Sequence, residues 1–290
     1  MTVESSPAQT DPVSIRSVLR GLRRHPLGLA GGLLLLLIAG FCFLGPLFYP
    51  TNQTDVDLVN AALPPGPGYP LGTDTNGFDV LGRLMSGGQV SLQIGLLAAV
   101  FATTIGTVYG AVAGLAGGAV DGFMMRLVDV MLSIPFLFFV LILSARFHAD
   151  ALALSLVIGG FSWLVSARLV RGEVLTLRVR EFVLAAKLMG ASRRRVILTH
   201  LIPNALGVII VNITFQVADA VLVVAALGFL GFGLTHPTAD WGSQLASGVT
   251  FISADYWWLI YPVGGCIVLT VLALNLLADA LRDAVGRRAD

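Results

Sequence analysis

Lysine is almost missing from this 290-residue chain: of its 18 basic residues, only Lys187 is a lysine. A phosphate-cradling nucleotide loop ends Gly-Lys-Ser/Thr, and Lys187 follows an alanine, so the chain cannot hold ATP in that way. Charge of either sign is scarce, at 12% of residues against 56% hydrophobic, a balance too apolar for soluble domains of this length. A net charge of +1 supplies no basic field, which excludes a dominant nucleic-acid function. Cysteine is nearly absent too. Cys42 and Cys266 both sit inside apolar runs, where a thiol serves as a small buried hydrophobe, and neither a metal site nor a cofactor is expected. The four histidines, His25, His148, His200 and His236, lie outside the long apolar runs or at their ends. Gly160-Phe-Ser-Trp163 therefore has no base within the membrane to activate Ser162, which argues against an intramembrane hydrolase.

What the chain has in abundance is long apolar runs. A helix needs roughly 20 such residues to cross the hydrocarbon, because its backbone polar groups must pair within the segment. Six stretches come near that length: 27–49, 86–114, 124–146, 150–169, 205–234 and 256–279. The third includes Arg126 and Asp129, and Asp219 interrupts the fifth. They predict an all-α integral membrane protein with six transmembrane helices. The first run is too long for a signal-peptide core and lacks a small-x-small cleavage site, so it reads as an uncleaved span.

Even parity puts both termini on one side, and the distribution of arginine says which. Arg16, Arg20, Arg23 and Arg24 precede the first run, Arg126 follows the second, a dense group from Arg168 to Arg195 separates the fourth from the fifth, and Arg282, Arg287 and Arg288 end the chain. With both termini cytoplasmic, 16 of the 18 basic residues face inward and only Arg83 and Arg146 face out. The expected organisation is a cytoplasmic segment 1–26, a first helix 27–49, an extracytoplasmic loop 50–85, a five-helix core 86–281 containing a cytoplasmic loop 171–203, and a cytoplasmic tail 282–290. The outer loop carries Leu63-Pro-Pro-Gly-Pro-Gly-Tyr-Pro70, which reads as turns, and it either meets an external partner or lies over the helix ends.

Several residues stand out within this plan. Gly106, Gly110, Gly114 and Gly118 recur every four residues, making a bare helical ridge for close packing or for sliding. Asp219 would cost about 3 kcal/mol at the bilayer centre, so it should face the bundle interior or water. Asn212 and Gln216 share roughly its face, and the three either line a substrate path or bond across helices. Arg168 and Arg171 are expected to snorkel toward headgroups. Arg193 to Arg195 fit acidic lipid or a protein surface, and Trp241, Tyr256, Trp257 and Tyr261 read as interface anchors.

The cytoplasmic segment from Arg171 to Pro203 is patterned like a helix. Val174, Leu177, Phe182, Ala185, Ala186 and Met189 recur at helical spacings and offer an apolar face for docking. Within it runs Glu181-Phe-Val-Leu-Ala-Ala-Lys-Leu-Met-Gly-Ala-Ser-Arg-Arg-Arg-Val-Ile-Leu-Thr-His-Leu-Ile-Pro-Asn204. Two small residues let a helix seat in a cleft, Gly190 permits a sharp turn, and Pro203 suits the start of the next span.

This segment resembles the cytoplasmic loop signature of ABC importer permeases, with Ala185, Ala186, Gly190 and Pro203 at the family spacing. Leu184 stands where that family has an acid, with Glu181 one turn earlier, and His200 and Ile202 replace an Ile and a Leu. Leu71-Gly-Thr-Asp-Thr-Asn-Gly-Phe-Asp-Val-Leu-Gly-Arg-Leu84, Phe229-Leu-Gly-Phe-Gly-Leu-Thr-His-Pro-Thr-Ala-Asp-Trp-Gly242 and Asn275-Leu-Leu-Ala-Asp-Ala-Leu-Arg-Asp283 look similar to the shorter permease of the dipeptide, oligopeptide and nickel subgroup. Phe78 replaces an expected Arg, and Val224 falls where relatives often carry an acid. The resemblance implies the ABC importer permease fold, a cytoplasmic-membrane location, and partnership with a second homologous permease, two ATP-binding cassette ATPase subunits, an extracytoplasmic substrate-binding protein and membrane lipid. It implies coupling to the ATPases through Glu181, Ala185, Ala186, Lys187, Gly190, Ala191, Ser192 and Pro203. Peptides are the first substrate expectation, with nickel or another small solute behind them. A proton-coupled secondary transporter is the rival class, resting on Asp219.

Overall fold

A computed structural model describes residues 25–51, 53, 55–146, 150–234 and 238–286. Arg16, Arg20, Arg23, Arg24, His148, His236, Arg287 and Arg288 lie outside the described residues. Among the described residues there is no strand. Among these residues nine helices carry the fold: α1 (Pro26–Phe48), α2 (Val80–Ala116), α3 (Gly118–Leu132), α4 (Phe136–Arg146), α5 (Ala151–Leu177), α6 (Glu181–Leu188), α7 (Arg193–Phe229), α8 (Trp241–Val249) and α9 (Tyr261–Gly286).

Five of these, α1, α2, α5, α7 and α9, are long and apolar enough to cross a membrane by themselves. The third expected span, 124–146, is not one rod. It is the pair α3 and α4, bent by 74° at Ser133-Ile134-Pro135. Pro135 has no N–H to donate and disfavours helical backbone at Ile134, so the chain breaks there. Counting the bent pair as one span gives six.

Other boundaries moved for local reasons. Asp79 accepts from the Leu81 N–H at 3.1 Å and caps α2, so the helix takes in 80–85, which were expected to be loop. At 37 residues α2 is about 55 Å long, well beyond a ~30 Å hydrocarbon core. Pro203 stands in the first turn of the regular α-helix Ile202–Phe229, as expected, but the fifth span itself begins earlier. The helix already runs from Arg193, widens into a π-helical turn at Val196–Leu201 with Ile202 N–H donating to Ile197 O, and so absorbs a proline that cannot donate. The final helix starts only at Tyr261, after a 3₁₀ turn at Trp257–Leu259, and continues through 282–286, expected to be tail.

α2 is the centre of the bundle, packed most extensively on α5 and next on α7. The glycine ridge makes the first contact possible. A Cβ on Gly106 would lie 2.7 Å from Trp163 O, one on Gly110 2.9 Å from Arg171 N, and one on Gly114 2.8 Å from Val174 Cγ1. Close packing is therefore the role of these three, whereas Gly118 lies beyond the end of α2 and faces open space. α1 lies at the edge against α9 and α2. Its outer face exposes Leu33, Leu36, Leu37 and Leu44, as lipid contact requires.

Candidate functional site

Two regions hold the residues singled out in the sequence. The first is the turn between α5 and α7 that carries α6. α5 stops at Leu177, where Arg178 folds back and its Nη1 donates to Gly114 O at 2.9 Å, a cation on the free carbonyls at the end of α2. α6 is then held to the bundle by Val183 and Ala186, both buried, with Val183 in a cluster of Val170, Val174, Val196 and Leu201. Its opposite face is bare. Leu184 is 47%, Leu188 90% and Met189 82% exposed, and Glu181, Ala185 and Lys187 are exposed as well.

The expected apolar stripe is thus divided between two faces. Val174 and Ala186 point inward, while Phe182, Ala185 and Met189 point outward. The phase was lost because the helix breaks at Arg178 to Arg180, and a periodicity counted across a break does not carry over.

Gly190 closes α6 with φ +80°. Ala191 N–H donates to Ala186 O and Gly190 N–H to Lys187 O, both at 3.0 Å, which is a Schellman end. Ser192 then accepts from the Arg195 N–H at 3.3 Å and starts α7. Ala185, Ala186, Lys187, Gly190, Ala191 and Ser192 are brought together in one helix and its turn. Pro203 lies further along α7 and makes no part of the outward face.

The second region is a cavity of about 560 Å³ beside the bend between α3 and α4. Pro135, Phe136, Ser162, Asn212, Gln216 and Asp219 are among the residues that line it. The three residues expected to act alike differ here. Asn212 and Gln216 are buried and their amide nitrogens donate to Ser166 Oγ, each at 2.7 Å; Gln216 also donates to Ser162 O at 3.0 Å. They tie α7 to α5. Asp219 is exposed on the same side, with no hydrogen bond or ion pair among the described residues. Neither His25 nor His200 lines this cavity, so Ser162 has no base from them.

Several residues that matter were missed or misread. Ser166 is the hub of the α5–α7 contact; its signal was the Ser162/Ser166 pair one turn apart in an apolar run. Arg168 and Arg171 do not snorkel. Arg171 Nε and Nη2 clamp Asp121 of α3 at 2.6 and 2.7 Å, and Arg168 Nη2 meets Asp129 at 2.6 Å. The acids lie 50 and 39 residues earlier, beyond any helical spacing.

Trp241 is not an interface anchor. It is fully buried among Ile38, Cys42, Leu84 and Val263, and its indole N–H donates to Leu84 O at 2.9 Å. Asp240, next to it, caps α8 through the Ser243 N–H at 2.9 Å; burial pushes its carboxyl above the usual range against the pull of the N–H groups around it. Trp257 and Tyr261 are exposed as anchors should be, whereas Tyr256 stacks on Trp258 at 4.9 Å.

Comparison with known proteins adds to this geometry. Residues 106–290 match the family described as binding-protein-dependent transport system inner membrane component, and residues 15–65 match the N-terminal TM domain of oligopeptide transport permease C. The chain is 40% identical to the oligopeptide transport system permease protein OppC of Escherichia coli K12 over 255 residues, 87% of this chain and 84% of that protein. It is 38% identical to OppC of Haemophilus influenzae over 264 residues, covering 90% and 85%. It is 37% identical to a putative peptide permease protein of Brucella suis over 290 residues, covering 99% and 95%.

Proposed function

This chain belongs to the family of binding-protein-dependent transport system inner membrane components, and from that premise we propose that it forms half of the translocation path of an ATP-driven oligopeptide importer. It is a multi-pass inner-membrane protein and a permease, not itself an ATPase. Energy therefore enters from outside the chain, through two ATPase subunits docked at its basic end. A second, homologous permease completes the path, and an extracytoplasmic binding protein delivers the peptide.

The observation that carries the coupling role is the bare outward face of α6. A short helix fixed to its own bundle by Val183 and Ala186, and leaving Leu188 and Met189 almost wholly in solvent, is built to be covered by something else. The Gly190 turn and the Ser192 cap hold its end at a set angle to α7, so that a push on α6 moves α7. Glu181 sits in the first turn of α6 and Lys187 in its last, each stabilised by the helix dipole and free to pair across the interface. α7 carries Asp219, Asn212 and Gln216, which we place on the substrate path, Asp219 as its charge and the two amides as the brace behind it. Rocking of this bundle against the second permease then exposes the path to one side at a time.

Replacing Leu188 and Met189 with Glu should abolish ATP-dependent peptide uptake in vesicles and release the ATPase from the purified complex while the second permease stays bound. Undiminished uptake would overturn the docking role.

A further inference from the structure

Asp219 lies ten residues before the end of α7, about 15 Å along the axis and well inside the span. A carboxylate at that depth cannot face lipid without a heavy desolvation penalty, and it has no partner among the described residues. Of the other polar side chains beside it, Asn212 and Gln216 have their amide nitrogens committed to Ser166, and Ser162 brings a neutral hydroxyl. What the cavity offers a guest is therefore one negative charge set in an otherwise uncharged and mostly apolar wall that includes Phe161, Phe215 and Leu222.

A second cavity, of about 420 Å³, lies beside the first and shares Asn212 and Phe215 with it. It is lined further by Leu169, Val208 and Val211 and by Arg282 of α9. Arg282 is exposed and, among the described residues, has no ion pair. The groove along α7 thus carries opposite charges at its two ends. Asp219 is 8 to 11 residues from the level of Val208 and Val211, or about 12–16 Å along the helix. Extended chain advances about 3.3–3.6 Å per residue, so four or five residues span that gap.

Resting on the importer reading above, we propose that this groove holds a zwitterionic peptide in one direction, with its α-ammonium against Asp219 and its α-carboxylate toward Arg282. An importer of mixed peptides cannot depend on their side chains, and the mostly apolar, otherwise uncharged wall makes little polar demand on them. The termini are the feature all such peptides share. Moving an ammonium out of water into a mostly apolar cavity is unfavourable unless an opposite charge receives it, and Asp219 is placed to do so. The arrangement also sets an order: the carboxyl end leads toward the basic end of the bundle and the amino end follows.

The test uses the whole complex, with both permeases, the ATPases and the binding protein, reconstituted in vesicles and turning over a pentapeptide with free termini. Photo-leucine is placed at its first or its last position, and cross-links are mapped on this chain by mass spectrometry. The first position should mark 215–223 and the last should mark 208–211 and 285. Asp219→Asn should lower uptake at least threefold and scramble the pattern, while Asp219→Glu should restore both. Equal marking by the two probes, or uptake without any cross-link to this chain, would overturn the orientation while leaving the importer reading intact. Loss of the second permease from the Asp219→Asn complex would show that Asp219 pairs with that subunit instead, and would overturn it too. If the wild-type complex takes up no peptide, the peptide reading itself fails and the orientation falls with it.

Discussion

Arg171 and Arg168 look alike in the sequence, three residues apart on one helix, yet their surroundings separate them. The Asp121 side chain facing Arg171 is only 10% exposed, whereas Arg168 and Asp129 are each more than half exposed. Removing one partner of a partly buried pair strands a half-desolvated charge and costs more than an exposed pair is worth, which is about 1 kcal/mol or less. Arg171→Ala should therefore lower the thermal stability of the detergent-solubilised complex clearly more than Arg168→Ala, which should change it hardly at all. Replacing Arg171 and Asp121 together should recover much of the loss. Equal sensitivity at the two arginines would show that burial does not govern these pairs. Neither pairing was legible from the sequence, because the acids sit on another helix and only the fold brings them within reach.

At the scale of elements, the contact of α2 on α5 rests on backbone approaching backbone. Gly110 shows the constraint most clearly, since a Cβ there would press into the α5 backbone at Ala167 and Arg171. Gly110→Leu should separate the two helices and cost at least 1–3 kcal/mol, read as a lower melting temperature and lower membrane abundance. Gly122→Leu, at a position with open space around it, is the control and should behave as wild type. The four-residue spacing made this ridge readable in advance, down to the roles of Gly106, Gly110 and Gly114. Gly118 fitted the same spacing and lay outside the helix, because Gly117 adopts φ +63° and ends α2.

For the molecule as a whole, the distribution of arginine makes a prediction about sidedness. The loop bearing Val59, which is 91% exposed, should face outward, and Arg194 should face the cytoplasm. With Cys42 and Cys266 replaced by Ala, a cysteine at Val59 should react with a membrane-impermeant maleimide in intact spheroplasts, and one at Arg194 only after lysis. The reverse pattern would invert the protein and place α6 away from any cytoplasmic ATPase.

The sequence alone determined the class of protein, the places of its long apolar runs, the bare ridge on α2 and the spacing of the α6 turn. Each of these depends on residues near one another in the chain: composition, periodicity, and a glycine where the backbone must turn left-handed. Tertiary structure decided which apolar residues of α6 were spent on its own bundle and which were left bare, that Trp241 is a core residue, and that Asn212 and Gln216 brace α5 while Asp219 stands alone in the groove. Those distinctions depend on what lies across from each side chain, and contacts between residues 46 to 157 positions apart leave no periodic trace along the chain.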